Sequence, residues 1–414
     1  MKQASVNSRV MPEPAVSATN QQNYAWRFWF LVPLHPYRYR RTLRREIVPG
    51  AVWTFDQLQG ILYTAVPIRM TIVKLAAGGL LVYAPIAPTQ ECIQLVKELE
   101  AEHGSVQYIV LPTASGLEHK VFVPAFARCF SEAQIFVVPQ QWSFPLNLPL
   151  SWLGFPRRRT HVLPYNSAEA PFSEEFGYAI LNVDLGKGSF GEVALLHKQS
   201  RTLLVTDTIL SIPEQPPEIV QLDPYPLLFH ARNHATEPIE DSEINRIIGW
   251  RRTALFALYF RPGALKPVDF VQTIRDGLKA PDRSKKAYFG LFPFQWQSGW
   301  EKSFDALRGQ GRPFIAPILQ ALIFDHNPHD VLAWADRVAS WNFEQIVPCH
   351  FDAPIVTTPQ EFRRAFAMFE SADQYKALFG SLNQPLPLAD VAFIKELEEK
   401  LDRWGITTSP HHQK

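Results

Sequence analysis

Two imidazoles and two carboxylates stand just past the ends of three strand-like runs, and together they could hold one divalent ion such as Zn²⁺, Mn²⁺ or Fe²⁺. Glu118 and His119 follow the run VQYIVL (residues 106–111) across a loop of mostly small residues, PTASGL. Asp207 follows TLLV (202–205), and His350 follows the run 343–347 through Pro348 and Cys349. Ligands of open α/β sheets gather at such carboxyl ends. The plain alternative is that Asp207 and His350 hydrogen-bond strand ends while Glu118 pairs with Lys120 or an arginine. Ser115 and Ser189 occupy similar loops, but no histidine stands beside either, so no Ser-His-Asp arrangement is read. Residues 186–189 (GKGS) lack the spacing of a phosphate loop and lead into a strand, which excludes an NTP site.

The elements that must position these groups follow from periodicity. MTIVKL (70–75) and LLVYA (80–84) flank AAGG and predict a hairpin. Thr89 is placed to cap a helix whose apolar face is Cys92, Ile93, Leu95, Val96 and Leu99, ended by Gly104. After the buried strand 106–111 come a helix over 121–130 and a strand over 134–138, then strands at 178–183, 192–196 and 202–205. From 211 to 326 the sheet period is lost among prolines and rings, which reads as a long insertion of helices and loops, a lid or a partner surface. Its Arg251-Arg252 and Lys285-Lys286 pairs are expected to be solvated. A helix over 330–341, the strand 343–347 and a helix over 359–369 follow. In the last helix, 389–404, Val391, Ile394, Leu397, Leu401 and Trp404 share an apolar face expected to cap the domain.

Composition narrows the class. Hydrophobic residues are 46% and charged residues 20% of 414, which is globular. A net charge of +1 gives no footprint for nucleic acid. Three scattered cysteines form no CxxC and fit a reducing interior. No run approaches the length of a membrane span, and residues 1–23 lack a secretory apolar core, so a soluble, cytoplasmic protein is expected. Residues 26–45 crowd aromatics and then arginines. Either they lie on an anionic membrane surface, as a protein peripheral to thylakoids would, or the rings dock while Arg38, Arg40, Arg41, Arg44 and Arg45 stay solvated, which the two prolines favour. A peripheral membrane contact or a protein partner could use this arm or the insertion. The ring-rich segment 289–300 would also allow a cofactor or pigment pocket, though rings at such spacing usually form core.

The order hairpin, helix, strand with Glu-His, helix, strand, strand pair with Asp, helix, strand with His resembles the metallo-β-lactamase fold, an α/β αββα sandwich with metals at one edge. The Thr-His-x-His-x-Asp-His signature of that family falls on residues 113–119, TASGLEH; its Gly-His-Thr-Pro-Gly turn falls on 187–191, its bridging Asp on Asp207, and its Pro-Gly-His on Pro348-Cys349-His350. Ala114, Gly116 and Gly188 replace the three histidines of the first ion, whereas Glu118, His119, Asp207 and His350 retain the second set, with Glu for Asp.

The resemblance therefore implies a degenerate lactamase-like protein with at most one metal and a mononuclear, hydrolase-like activity. A non-catalytic binding or assembly protein, photosynthesis-related and peripheral to membranes, is the alternative. Stretches such as GLEHKVFVPAF, SRTLLVTDTIL and KAPDRSKKAYFGLFPF resemble an uncharacterised family of cyanobacteria and chloroplasts. The expected organisation is a disordered tail (1–23), the aromatic/Arg arm (24–52), a lactamase-like first half (53–210), the insertion (211–327), a second half (328–375), and a C-terminal helix with tail (376–414).

Overall fold

Strand pairing gathers the described residues into two large mixed sheets and one two-stranded sheet. The computed structural model describes residues 21–115, 117–143, 147–186, 188–371 and 386–404. The tail expected over 1–23 lies, up to residue 20, outside the described residues, as do Gly116 and the tail beyond 404. The first sheet runs in chain order through β1 (Leu43–Val48), β2 (Val52–Ile61), β3 (Thr64–Lys74), β4 (Leu80–Tyr83), β5 (Val106–Leu111), β6 (Gln134–Val137) and β7 (Thr160–Val162). β1 to β4 are an antiparallel meander, and β4 to β7 are parallel. Parallel neighbours need crossovers: α1 (Gln90–His103) supplies the one from β4 to β5, and α2 (Leu117–Lys120) and α3 (Val123–Cys129) the one from β5 to β6. Thr89 caps α1 as expected, its side chain accepting from the Cys92 N–H at 3.2 Å.

β8 (Phe176–Asp184), β9 (Ser189–His197) and β10 (Thr202–Leu204) begin the second sheet. The chain then departs through α4 (Glu218–Gln221), α5 (Tyr225–Ala231), α6 (Glu243–Tyr259), β11 (Leu265–Pro267), α7 (Phe270–Gly277), β12 (Phe294–Trp296), α8 (Trp300–Arg308) and α9 (Pro317–Leu322). It returns by α10 (Pro328–Ala339), β13 (Gln345–Val347), β14 (Ile355–Val356) and α11 (Pro359–Arg364), giving the order β14-β13-β10-β9-β8.

Three apolar layers define the αββα order. Val73, Leu81, Val110, Phe136, Val193 and Val347 fill the space between the sheets. Phe55, Ile72 and Val82 turn the other way onto Val96, Phe122 and Phe126 of the first helical layer. Leu181, Ala194 and Leu203 meet Trp334, Val338 and Phe362 of the second. β9 is buried at every position because it faces both layers.

The 211–326 stretch packs around Trp250, Tyr259, Phe292 and Trp300 against Leu58, Tyr63 and Ala65 of the β2–β3 hairpin. The C-terminal helix Leu388–Arg403 joins this core through Ile394, and its Asp390 accepts from the Gly263 N–H at 2.7 Å. Trp404, expected on its apolar face, is instead 66% exposed.

The arm differs from expectation in both halves. The sheet already begins at Leu43, and β1 pairing with β2 brings the arginines to acids: Arg41 to Glu91 (3.1 Å), Arg44 to Glu98 (3.0 Å), Arg45 to Asp56 (3.0 Å). Arg40 is fully buried, donating to the Leu58 and Leu34 carbonyls at 3.2 and 3.4 Å. Of the rings, Tyr24 and Trp26 dock, but Phe28, Trp29 and Phe30 stand exposed. Arg252 is likewise not solvated: it donates to the Ala231 and Arg232 carbonyls at 2.7 and 3.0 Å and lies over Trp296 and Trp300.

Candidate functional site

The carboxyl ends of β5, β10 and β13 meet at one edge of the sandwich. β10 and β13 are parallel neighbours, extended by bonds from Val205 N–H to the Val347 carbonyl and Cys349 N–H to the Thr206 carbonyl, both 3.3 Å. Asp207 and His350 therefore emerge side by side. The chain after β5 joins β9 through Ala114 N–H to the Gly191 carbonyl (2.9 Å) and Val193 N–H to the Pro112 carbonyl (2.9 Å). Gly191 permits this approach, because a Cβ there would lie 2.7 Å from the Ala114 Cβ. α2 then delivers Glu118 and His119 to the same place. A cavity of about 460 Å³ is lined by Thr113, Ser115, Leu117, Glu118, His119, Asp207 and His350. All four residues singled out in the sequence line it.

His350 Nε2 lies 3.3 Å from Glu118 Oε2 and 3.4 Å from Asp207 Oδ1. These separations stand at the long end for hydrogen bonds, and they match the edge of about 3.3–3.4 Å between ligands that sit 2.0–2.1 Å from a tetrahedral ion. Each imidazole is turned by a backbone carbonyl, which can only accept, so each Nδ1 carries the proton. His119 Nδ1 donates to Pro85 (3.0 Å) and His350 Nδ1 to Pro67 (2.8 Å). This leaves His119 Nε2 for another partner and aims His350 Nε2 at the two carboxylates, and a ring held at Nδ1 by a carbonyl is the orientation that metal-binding histidines take. His119 Nε2 is buried with no hydrogen-bond partner. As the side chains stand, however, no group of three or more His, Cys, Asp or Glu among the described residues is set to hold a metal ion.

Burial and mutual charge govern titration here. Burial lowers His119 to about 4, so it is neutral near pH 7. Burial alone would lower His350 too, but the hydrogen bond and charge of Glu118, with Asp207, raise it to about 9. Burial lifts Asp207 to about 7 against the pull of His350. For Glu118 the penalty of burial is outweighed by His350, which holds it below the usual carboxylate range.

Two supports escaped sequence reading. Glu192, fully buried in β9, accepts from the N–H groups of Thr206 (2.8 Å), Asp207 (2.9 Å) and Thr208 (3.1 Å) and from the Thr208 hydroxyl (2.7 Å). It fixes the turn that presents Asp207. A lone acid inside the apolar run EVALL was the available signal. Arg69, also buried, donates to the Pro348 and Phe351 carbonyls (2.6 and 2.9 Å) while pairing with Asp56 at 2.6 Å. It clamps the loop that carries His350.

At the positions assigned to a first ion, other groups fill the space. A Cβ on Gly188 would lie 2.9–3.0 Å from the Trp142 ring. Lys120, which could have paired with Glu118, instead turns its ammonium to the carbonyls of Ala114 and Trp142.

Two sheets packed face to face between helices, with the site at one edge, make this a metallo-β-lactamase-like αββα fold. Among solved structures, the chain is similar to a metallo-β-lactamase from Pontibacter korlensis (14% identity, TM-score 0.30, 42% of this chain and 76% of that one). It is also similar to a flavo di-iron protein mutant from Thermotoga maritima (8%, 0.41, 80% and 63%) and to the DIM-1 metallo-β-lactamase (8%, 0.37, 80% and 98%). No curated protein matches. A family described as a domain of unknown function, DUF4336, matches residues 49–368, and the chain belongs to that family.

Proposed function

We propose that the edge cavity takes one divalent ion at Glu118, His119, Asp207 and His350, and that the protein is a degenerate, mononuclear member of the lactamase-like fold with a hydrolase-like chemistry. The observation that carries this reading is the pair of imidazoles turned by proline carbonyls, one of which leaves His119 Nε2 buried and unpartnered. Such an ion would supply a Lewis acid and a bound water of lowered pKa. The chain's own part is to hold His119 neutral, to fix Asp207 through Glu192 and to fix His350 through Arg69. Trp142 and Lys120 at the first-ion positions support a single ion rather than two. The likeness to cyanobacterial and chloroplast proteins belongs to this reading as its proposed source. Calorimetric titration of Zn²⁺, Mn²⁺ and Fe²⁺ into chelator-treated protein tests it. One saturable site for at least one ion, absent from Asp207→Ala, is expected; no heat above dilution for any of the three would overturn it.

A further inference from the structure

α7 turns its apolar side away from the protein. Phe270, Val271, Ile274 and the following Leu278 are 79%, 65%, 40% and 68% exposed, while Thr273 and Gly277 face inward. The helix packs by its small side, with a Cβ on Gly277 only 3.2 Å from Leu291. Its start is well formed, since the Asp269 side chain accepts from the Gln272 N–H at 3.0 Å. An amphipathic helix in this orientation gains nothing from the core.

The exposed surface continues through contacts. Phe289, 65% exposed, sits with Tyr288 on a turn packed against α7 through Gly290. The Tyr288 ring is 5.1 Å from Tyr63, whose hydroxyl donates to the Lys286 carbonyl at 2.8 Å. Tyr63 and Leu62 form the tip of the β2–β3 hairpin, beside exposed Ile61. Leu62 (φ 49°), Tyr63 (φ 62°) and Phe289 (φ 58°) all hold the left-handed conformation that Asn or Gly adopts with least strain. Leu62 and Phe289, 48% and 65% exposed, are thus kept at water-facing turns where the backbone disfavours them, while Tyr63 anchors the hairpin tip from the core.

Charge identifies the occupant. Residues 266–286 carry six basic side chains (Lys266, Arg275, Lys279, Arg283, Lys285, Lys286) against three acidic ones, in a chain whose net charge is only +1. Lys286 pairs with Asp223 at 3.7 Å, which leaves five of the six basic side chains against the three acids. Exposed apolar side chains interleaved along the chain with exposed cations suit insertion among anionic headgroups. No helix among the described residues is long and apolar enough to cross a membrane, so the contact would lie on the surface. We propose that α7, with the turns at Phe289 and Leu62, seats the protein on an anionic lipid surface. This does not rest on the cavity holding an ion.

The test is flotation of the full chain with vesicles of phosphatidylcholine, alone or mixed with phosphatidylglycerol. Binding to the mixed vesicles, weakened by salt, is expected, with a loss of at least about tenfold in Phe270→Ser/Ile274→Ser/Leu278→Ser. These residues are exposed, so an unchanged melting temperature should accompany the loss; Lys279→Glu/Lys285→Glu should weaken binding as well. Equal flotation of wild type and triple variant, or none in either, would overturn the proposal. So would light scattering that shows a dimer split by the triple variant, which would assign the face to a second copy of the chain.

Discussion

Arg69 grips the loop of His350 from across the sandwich: one guanidinium joins Asp56 on β2 to the carbonyls of Pro348 and Phe351, on either side of the imidazole. Replacing it with Ala leaves Asp56 buried with Arg45 alone as its ion-pair partner and deprives two carbonyls of donors. A loss of about 3–5 kcal/mol is expected in urea unfolding, as for removal of one partner of a buried pair. Arg69→Lys keeps the charge but loses the fork, and should fall between the two.

Glu192 does for Asp207 what Arg69 does for His350. In Glu192→Gln one of the two accepting oxygens becomes an NH₂ that faces backbone donors. A cost of about 2–3 kcal/mol is expected, read as a lower urea midpoint with an unchanged slope.

The site was legible where strand ends carried it and illegible where distant backbone did. Glu118, His119, Asp207 and His350 fall at one edge because β5, β10 and β13 end there, and the strands could be read from their apolar runs. Arg69 could not be read, because the carbonyls it binds lie 279 and 282 residues away and no side-chain pattern marks them. The arm was misread for a related reason. Its arginines meet acids only once β1 pairs with β2, and the prolines that argued for docked rings, Pro33 and Pro36, instead follow an exposed turn of Trp29–Leu31. Trp142 filling the space beside Gly188 was equally invisible, being a contact between two loops.

Gly191 and Ala114 should behave as one unit. Gly191→Ala places a methyl 2.7 Å from the Ala114 Cβ, whereas its next contacts lie at 3.7 Å. Overpacking of this kind costs about 1–3 kcal/mol. Ala114→Gly in the same chain should recover most of it, giving a clear coupling term in a double-mutant cycle.

Mild acid should destabilise the fold through its buried histidines. Burial lowers His35 and His230 to about 4, below the unfolded value of about 6.5. Between those limits the unfolded chain binds more protons, so stability is fully present above about pH 6.5 and is lost as pH falls towards 4. Urea midpoints from pH 7.5 down to 4.5 should show this decline, and His230→Gln should flatten it.

Metal content measures the central claim most directly. Untagged wild-type protein and His119→Ala/His350→Ala should be compared by inductively coupled plasma mass spectrometry, with circular dichroism to show that both are folded. The account expects close to one divalent ion per chain in the wild type and none in the double variant. A metal-free wild type, or the same content in both proteins, would contradict it.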